Sequence, residues 1–154
     1  MTRLATGAKA PAFTLFDHAG AKVTLRDFAG QRVVLYFYPA DDTPGCTKEA
    51  CQFNDELAAF KKLGVRVIGV SPDDAARHVN FRSKYGLEFT LLSDPEKKVM
   101  EKYGAYGEKM MYGKKVMGVI RSTFLIGPSA KIERAWYGVR ADGHALKVLA
   151  ALLV

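Results

Sequence analysis

Val33-Val34-Leu35-Tyr36-Phe37-Tyr38-Pro39-Ala40-Asp41-Asp42-Thr43-Pro44-Gly45-Cys46-Thr47-Lys48-Glu49-Ala50-Cys51 is the stretch that decides the fold. Its first six residues form an apolar run of the kind found in a fully buried strand. Thr43 followed by Pro44 signals a helix start: a hydroxyl N-cap, then a residue whose missing N–H costs nothing at the first helical position. Cys46 therefore falls in the first turn of a helix. Free N–H groups and the positive end of the helix dipole favour a thiolate there. Beyond Ala50 the apolar residues recur at Phe53, Leu57 and Phe60, a helical spacing that predicts one amphipathic helix running to Gly64.

Cys46 and Cys51 on one helix differ by about 7.5 Å of rise and about 140° of rotation, which puts their Cα atoms roughly 8–9 Å apart. That exceeds the roughly 7 Å beyond which a disulfide needs backbone movement. Either the two sulfurs stay apart, or they bridge only when the helix start unwinds.

Working outward, Phe13-Thr14-Leu15 and Lys22-Val23-Thr24-Leu25 flank a turn at Gly20 and predict a hairpin with His18 exposed in its turn. After the cysteine helix, Val65–Val70 reads as a strand, and Ser71-Pro72 as the start of a helix to about Gly86. His78 on that helix is expected to be a surface or hydrogen-bonded histidine, not a catalytic base. Phe89–Leu92 predicts a short strand, with a helix starting at Asp94-Pro95. Residues 105–118 carry no clear period and predict a mobile loop studded with Tyr106, Met110, Met111, Tyr112 and Met117. Arg121–Ile126 and Lys131–Tyr137 predict two strands around Gly127-Pro128-Ser129. A last helix is expected to be capped by Asp142, with His144 in a capping or surface role. Asp41 and Asp42 read as solvated loop charges. Strands alternating with helices predict an α/β fold, a central mixed sheet with helices on both faces.

The chain has 154 residues, the size of one domain spanning 1–154 with a substantial core. At 49% apolar residues, disorder is excluded as a reading. No apolar run reaches the length of a membrane span, and Met1–Leu4 lacks a signal peptide's apolar stretch, so a cytoplasmic protein with no membrane partner is expected. In that reducing setting two cysteines point to redox chemistry more than to a structural crosslink. A net charge of +7 raises nucleic acid as a partner, but the lysines and arginines are scattered and no nucleic-acid motif accompanies them. No specific nucleic-acid partner is expected.

Pro39, Thr43 and Cys46 together have the Pro-x-x-x-Thr-x-x-Cys pattern of peroxiredoxins. The run to Cys51 resembles the bacterioferritin comigratory protein, or peroxiredoxin Q, branch of that family. The similarity extends to Gly69-Val70-Ser71, Leu91-Leu92-Ser93-Asp94, Arg121–Ile126 and Gly143-His144. The resemblance implies a thioredoxin-like fold and a thiol-dependent peroxidase acting on hydrogen peroxide and organic hydroperoxides. It also implies a peroxidatic Cys46 supported by Pro39, Thr43 and Arg121, and a resolving Cys51. An intramolecular disulfide would then be reduced by thioredoxin or a similar dithiol. No metal or organic cofactor is implied, and an internal resolving cysteine makes a monomer sufficient. Gly127 and Ala130 depart from the family's commoner acidic residue and glycine in the turn after Ile126. A thioredoxin-like disulfide oxidoreductase is disfavoured by the absence of a Cys-x-x-Cys pair. A redox-responsive binding protein is the competing reading of another class.

Overall fold

The computed structural model describes residues 3–153. The apolar run forms β3 (Arg32–Phe37), with Val33–Phe37 all buried, so a strand lined on both sides is its only satisfactory home. Alternate side chains supply two separate cores. Val33, Leu35 and Phe37 face one, while Val34, Tyr36 and Tyr38 face the other.

Around β3 lie β1 (Thr14–Asp17), β2 (Lys22–Thr24), β4 (Val65–Ser71), β5 (Thr90–Ser93), β8 (Ser122–Ile126) and β9 (Ile132–Tyr137), in the order β2-β1-β5-β4-β3-β8-β9. The β3–β4 and β4–β5 pairs are parallel and the others antiparallel, giving the expected mixed sheet. Four helices, α1 (Pro44–Asp55), α2 (Leu57–Lys62), α3 (Ala75–Tyr85) and α5 (His144–Leu152), pack their apolar faces on the core that holds Tyr36 and Tyr38. The opposite core is covered by a 3-10 turn at Leu25–Phe28 and by the short α4 (Lys98–Lys102). Both faces carry helices, but unequally. This is the thioredoxin-like fold.

Several local expectations need correction. The helix predicted from Thr43 to Gly64 breaks at Glu56 into α1 and α2, because Glu56 leaves helical geometry at φ −98°, ψ 7°. The helix after β4 starts at Ala75, not Pro72. Its cap is Asp74, whose side chain accepts from the Arg77 N–H, while Ser71 is still in the strand. Likewise the helix after β5 begins at Lys98; the buried Asp94 carboxylate accepts from the Met100 N–H at 2.9 Å. At the last helix Gly143, at φ 80°, occupies the N-cap position in place of Asp142.

The largest correction concerns residues 105–118. They form an antiparallel hairpin of β6 (Tyr106–Met111) and β7 (Lys114–Val119). Tyr112 (φ 50°) and Gly113 (φ 79°) turn it, the two positive φ angles that a two-residue hairpin of primed type requires. Met110, Met111, Tyr112 and Met117 are exposed, so burial follows neither face of the hairpin and leaves no alternation to read.

Gly69 in β4 lies against the buried Tyr36 and Leu91 side chains, where an added Cβ would come within 2.9–3.0 Å of both. Gly69→Ala is therefore expected to overpack this core and lower stability by about 1–3 kcal/mol. Urea unfolding checks it; an unchanged midpoint would show that the rings give way.

Candidate active site

Strand register brings distant residues together. Phe37 at the end of β3 pairs with Ser122 at the start of β8, so Arg121 emerges beside the chain as it leaves β3 for α1. The Arg121 carbonyl accepts from the Val139 N–H, fixing this residue to the next connection as well.

Cys46 lies in the first turn of α1, 1% exposed. Arg121 reaches it directly: Nη2 donates to Cys46 Sγ at 3.3 Å, while Nη1 donates to Glu49 Oε1 at 2.6 Å. One guanidinium thus bridges the sulfur and a fully buried carboxylate one helical turn further on. Gly45 leaves room for it; a Cβ there would sit 3.2 Å from Nη2. Burial pushes the Glu49 carboxyl up to about 7 against the pull of Arg121, and Glu49 Oε2 has no hydrogen-bond partner among the described residues. Glu49 escaped the sequence reading. The signal was present: it shares the buried helix stripe of Cys46, Ala50 and Phe53, and a carboxylate on such a stripe must be paired.

Thr43 occupies the N-cap position with extended backbone (φ −99°, ψ 155°), and Pro44 follows as the first helical residue. The hydroxyl, however, does not cap the helix. Thr43 Oγ1 donates to the Ala40 carbonyl at 2.8 Å, which folds the loop onto itself and leaves the hydroxyl oxygen free to accept. Pro39 is half-buried at the start of the same loop.

The structure brings Cys46, Arg121, Thr43 and Pro39 to one junction but leaves Cys51 apart. Both cysteines are free thiols, and both lie within the regular helix α1. Cys51 is half-buried, and desolvation together with the Asp55 charge pushes its thiol up. Next to it, the Gln52 amide donates to Asp142 Oδ1 and accepts from the Gly143 N–H, both at 2.8 Å, tying α1 to the start of α5.

The histidine and aspartate expectations fare unevenly. His18 is half-buried, not exposed, and its Nδ1 has no hydrogen-bond partner among the described residues. His78 is fully buried and hydrogen-bonded at both ring nitrogens, a satisfied histidine. His144 is buried, not at the surface. Its Nε2 lies 2.8 Å from Thr123 Oγ1, and Phe53 and Trp136 meet its ring edge-on. Desolvation first, then the Lys147 and Arg121 charges, push this imidazole down to about 4. Asp41 is buried, while Asp42 is exposed and held by Lys84 and Tyr85. Among the described residues there is no group of three or more His, Cys, Asp or Glu placed to hold a metal ion, and no helix is long and apolar enough to cross a membrane.

Glu49 and His144 give opposed pH dependences of stability. Between 4.5 and about 7 native Glu49 keeps a proton that the unfolded chain has released, so stability falls as pH rises. Between about 4 and 6.5 the unfolded chain binds a proton at His144 that the native state excludes, so stability rises with pH. Glu49→Gln is expected to unmask the second slope, steepening the rise in unfolding free energy by up to about 1.4 kcal/mol per pH unit between 4.5 and 6.5. Urea titrations across that range check it, and an unchanged slope would contradict it.

Comparison with known proteins agrees with this geometry. Residues 6–135 match the AhpC/TSA family. The chain is 47% identical over 133 residues to peroxiredoxin Bcp of Xanthomonas campestris, covering 86% of this chain and 83% of that one. Its backbone resembles the bacterioferritin comigratory protein of the same organism, from a structural study of alkyl peroxide reduction, at a TM-score of 0.89 and 42% identity over 97% of this chain and 98% of that chain. It likewise resembles a PrxQ mutant of Xylella fastidiosa at a TM-score of 0.92 and 37% identity over 99% and 98% of the two chains. The chain belongs to the AhpC/TSA family, as a thiol peroxidase of the Bcp, or peroxiredoxin Q, type.

Proposed function

We propose that Cys46 is the peroxidatic cysteine of a hydroperoxide reductase, that Cys51 resolves its sulfenic acid, and that thioredoxin or a similar dithiol reduces the resulting disulfide. One observation carries the reading: the Arg121 guanidinium lies at hydrogen-bond distance from Cys46 Sγ at the start of a helix. A fixed cation there favours an anionic sulfur and supplies donors for the oxygens of an incoming peroxide.

In the first step the Cys46 thiolate attacks one peroxide oxygen. The S–O bond forms as the O–O bond breaks; sulfur is oxidised to a sulfenic acid and the second oxygen leaves as hydroxide or alkoxide. That oxygen takes up a proton and departs as water or alcohol. Arg121 stabilises its developing charge. Because the Thr43 hydroxyl hydrogen is committed to Ala40, the Thr43 oxygen acts as acceptor, holding a peroxide O–H in line with the sulfur. Pro39 shields the sulfur's side of the loop and adds no competing N–H.

In the second step the Cys51 sulfur attacks that of Cys46. The S–S bond forms, the S–O bond breaks and water leaves. Two helical positions five residues apart cannot reach each other, so the start of α1 must unwind. Unwinding has to break the Arg121–Glu49 contact and strain the Gln52 contacts to Asp142 and Gly143. A dithiol then reduces the disulfide by exchange. Both cysteines lie within one chain, consistent with a monomer, and the need for a reducing dithiol fits the cytoplasm.

Mass spectrometry after one equivalent of peroxide is expected to show Cys46 and Cys51 linked. Cys46→Ser should abolish peroxide consumption, whereas Cys51→Ser should keep the first oxidation and lose the internal disulfide. Full thioredoxin-dependent turnover by Cys51→Ser would refute the resolving role.

A further inference from the structure

Beside the reactive turn lies a buried polar chain that the peroxidase chemistry does not use. Asp41, 4% exposed, sits in the loop between β3 and Thr43. Its Oδ1 accepts from the Tyr38 hydroxyl at 2.5 Å, and its Oδ2 lies 2.6 Å from Nδ1 of the fully buried His78. His78 Nε2 faces the Leu92 carbonyl at 3.0 Å. A carbonyl only accepts, so Nε2 carries a hydrogen, and a single further proton lies between Nδ1 and Oδ2. Every polar atom in this chain is thereby satisfied.

The same loop is held elsewhere. The Asp41 N–H donates to Asp73 Oδ2 at 2.7 Å, and Asp73 also accepts from Ser71 Oγ at 2.7 Å. Asp42 adopts φ 58°, a left-handed conformation that asparate-type side chains tolerate only at some cost, while Lys84 Nζ and Tyr85 OH of α3 hold its carboxylate. The loop is therefore fastened to α3 and the ends of β4 and β5, not to α1. None of those fastenings involves a residue of α1, so unwinding its first turn need break none of them.

We propose that Asp41 and His78 are positioning residues of the peroxidase reaction: their buried hydrogen-bonded pair fixes the loop so that Thr43 and Cys46 face Arg121. They touch neither sulfur nor peroxide and act through the loop. The proposal rests on the reading of Cys46 as the peroxide-reactive sulfur. It assigns the pair to the first chemical step and to the return of the active turn after each reduction.

Stopped-flow measurement of Cys46 oxidation by hydrogen peroxide tests it, beside urea unfolding of the same proteins. Asp41→Ala and His78→Leu are each expected to slow the oxidation roughly 10- to 100-fold, as misplacement of reacting groups does. Asp41→Asn should restore the rate to within about threefold, because its amide can donate to His78 Nδ1 while its oxygen accepts from Tyr38. Reading two disruptive variants keeps the test decisive if one of them does not fold. Ile132→Ala, which empties the opposite core far from this loop, should oxidise at the wild-type rate despite its lower stability. A rate that follows stability across all four variants would overturn the proposal, as would Asp41→Asn oxidising as slowly as Asp41→Ala. Wild-type Cys46 inert to peroxide would instead remove the peroxidatic assignment, and this proposal with it; a reactive wild type with equally reactive variants removes this proposal alone.

Discussion

The contact between Arg121 and Cys46 is the interaction on which the rest of this molecule depends. A guanidinium keeps its charge at any working pH, so placing it on a sulfur at a helix start gives that sulfur a permanent cationic neighbour. Neither group could be placed alone. Cys46 is set by the β3–α1 junction, where a buried strand ends and Pro44 begins a helix. Arg121 is set by the pairing of Phe37 with Ser122, which makes the antiparallel β8 start where β3 ends. Glu49 completes the arrangement by holding the second arm of the guanidinium. The carboxylate has a buried location only because that partner is there.

The proposed chemistry imposes conflicting demands on α1. Its first turn must be ordered to aim Cys46 at a peroxide and disordered to deliver Cys51. The observed contacts divide along that line. Arg121–Glu49 and the Gln52 amide hold the helix itself and must give way, whereas His78, Lys84 and Tyr85 hold the preceding loop from outside the helix. A segment that melts next to one that does not is how local unfolding becomes a repeatable step instead of a loss of structure.

Much of this was legible in the sequence, for stated reasons. Val33–Tyr38 read as a buried strand and Thr43-Pro44 as a helix start, so the position of Cys46 followed from local chemistry, although the same signal at Ser71-Pro72 did not start α3. Arg121 did not follow: it lies 75 positions from Cys46 in the chain, and only strand order brings it back, so family resemblance had to supply it. Asp41 looked like a solvated charge because its two partners, Tyr38 and His78, lie on different elements, and a single sequence carries no sign of their meeting. His144 was hidden in the same way, since Thr123 lies on β8, 21 positions away in the chain. The hairpin of β6 and β7 went unseen because its apolar side chains stay exposed and carry no burial pattern. Signals that depend on one element were readable; those that depend on how elements meet were not.

The most direct measurement is the second-order rate of Cys46 oxidation by hydrogen peroxide in Arg121→Gln, with iodoacetamide alkylation of the same sulfur as the reference. The account predicts that peroxide oxidation falls roughly 100-fold or more, the scale of losing a charge-stabilising donor at a reacting oxygen, while alkylation falls far less. Equal rates of peroxide oxidation in Arg121→Gln and the wild type would contradict it.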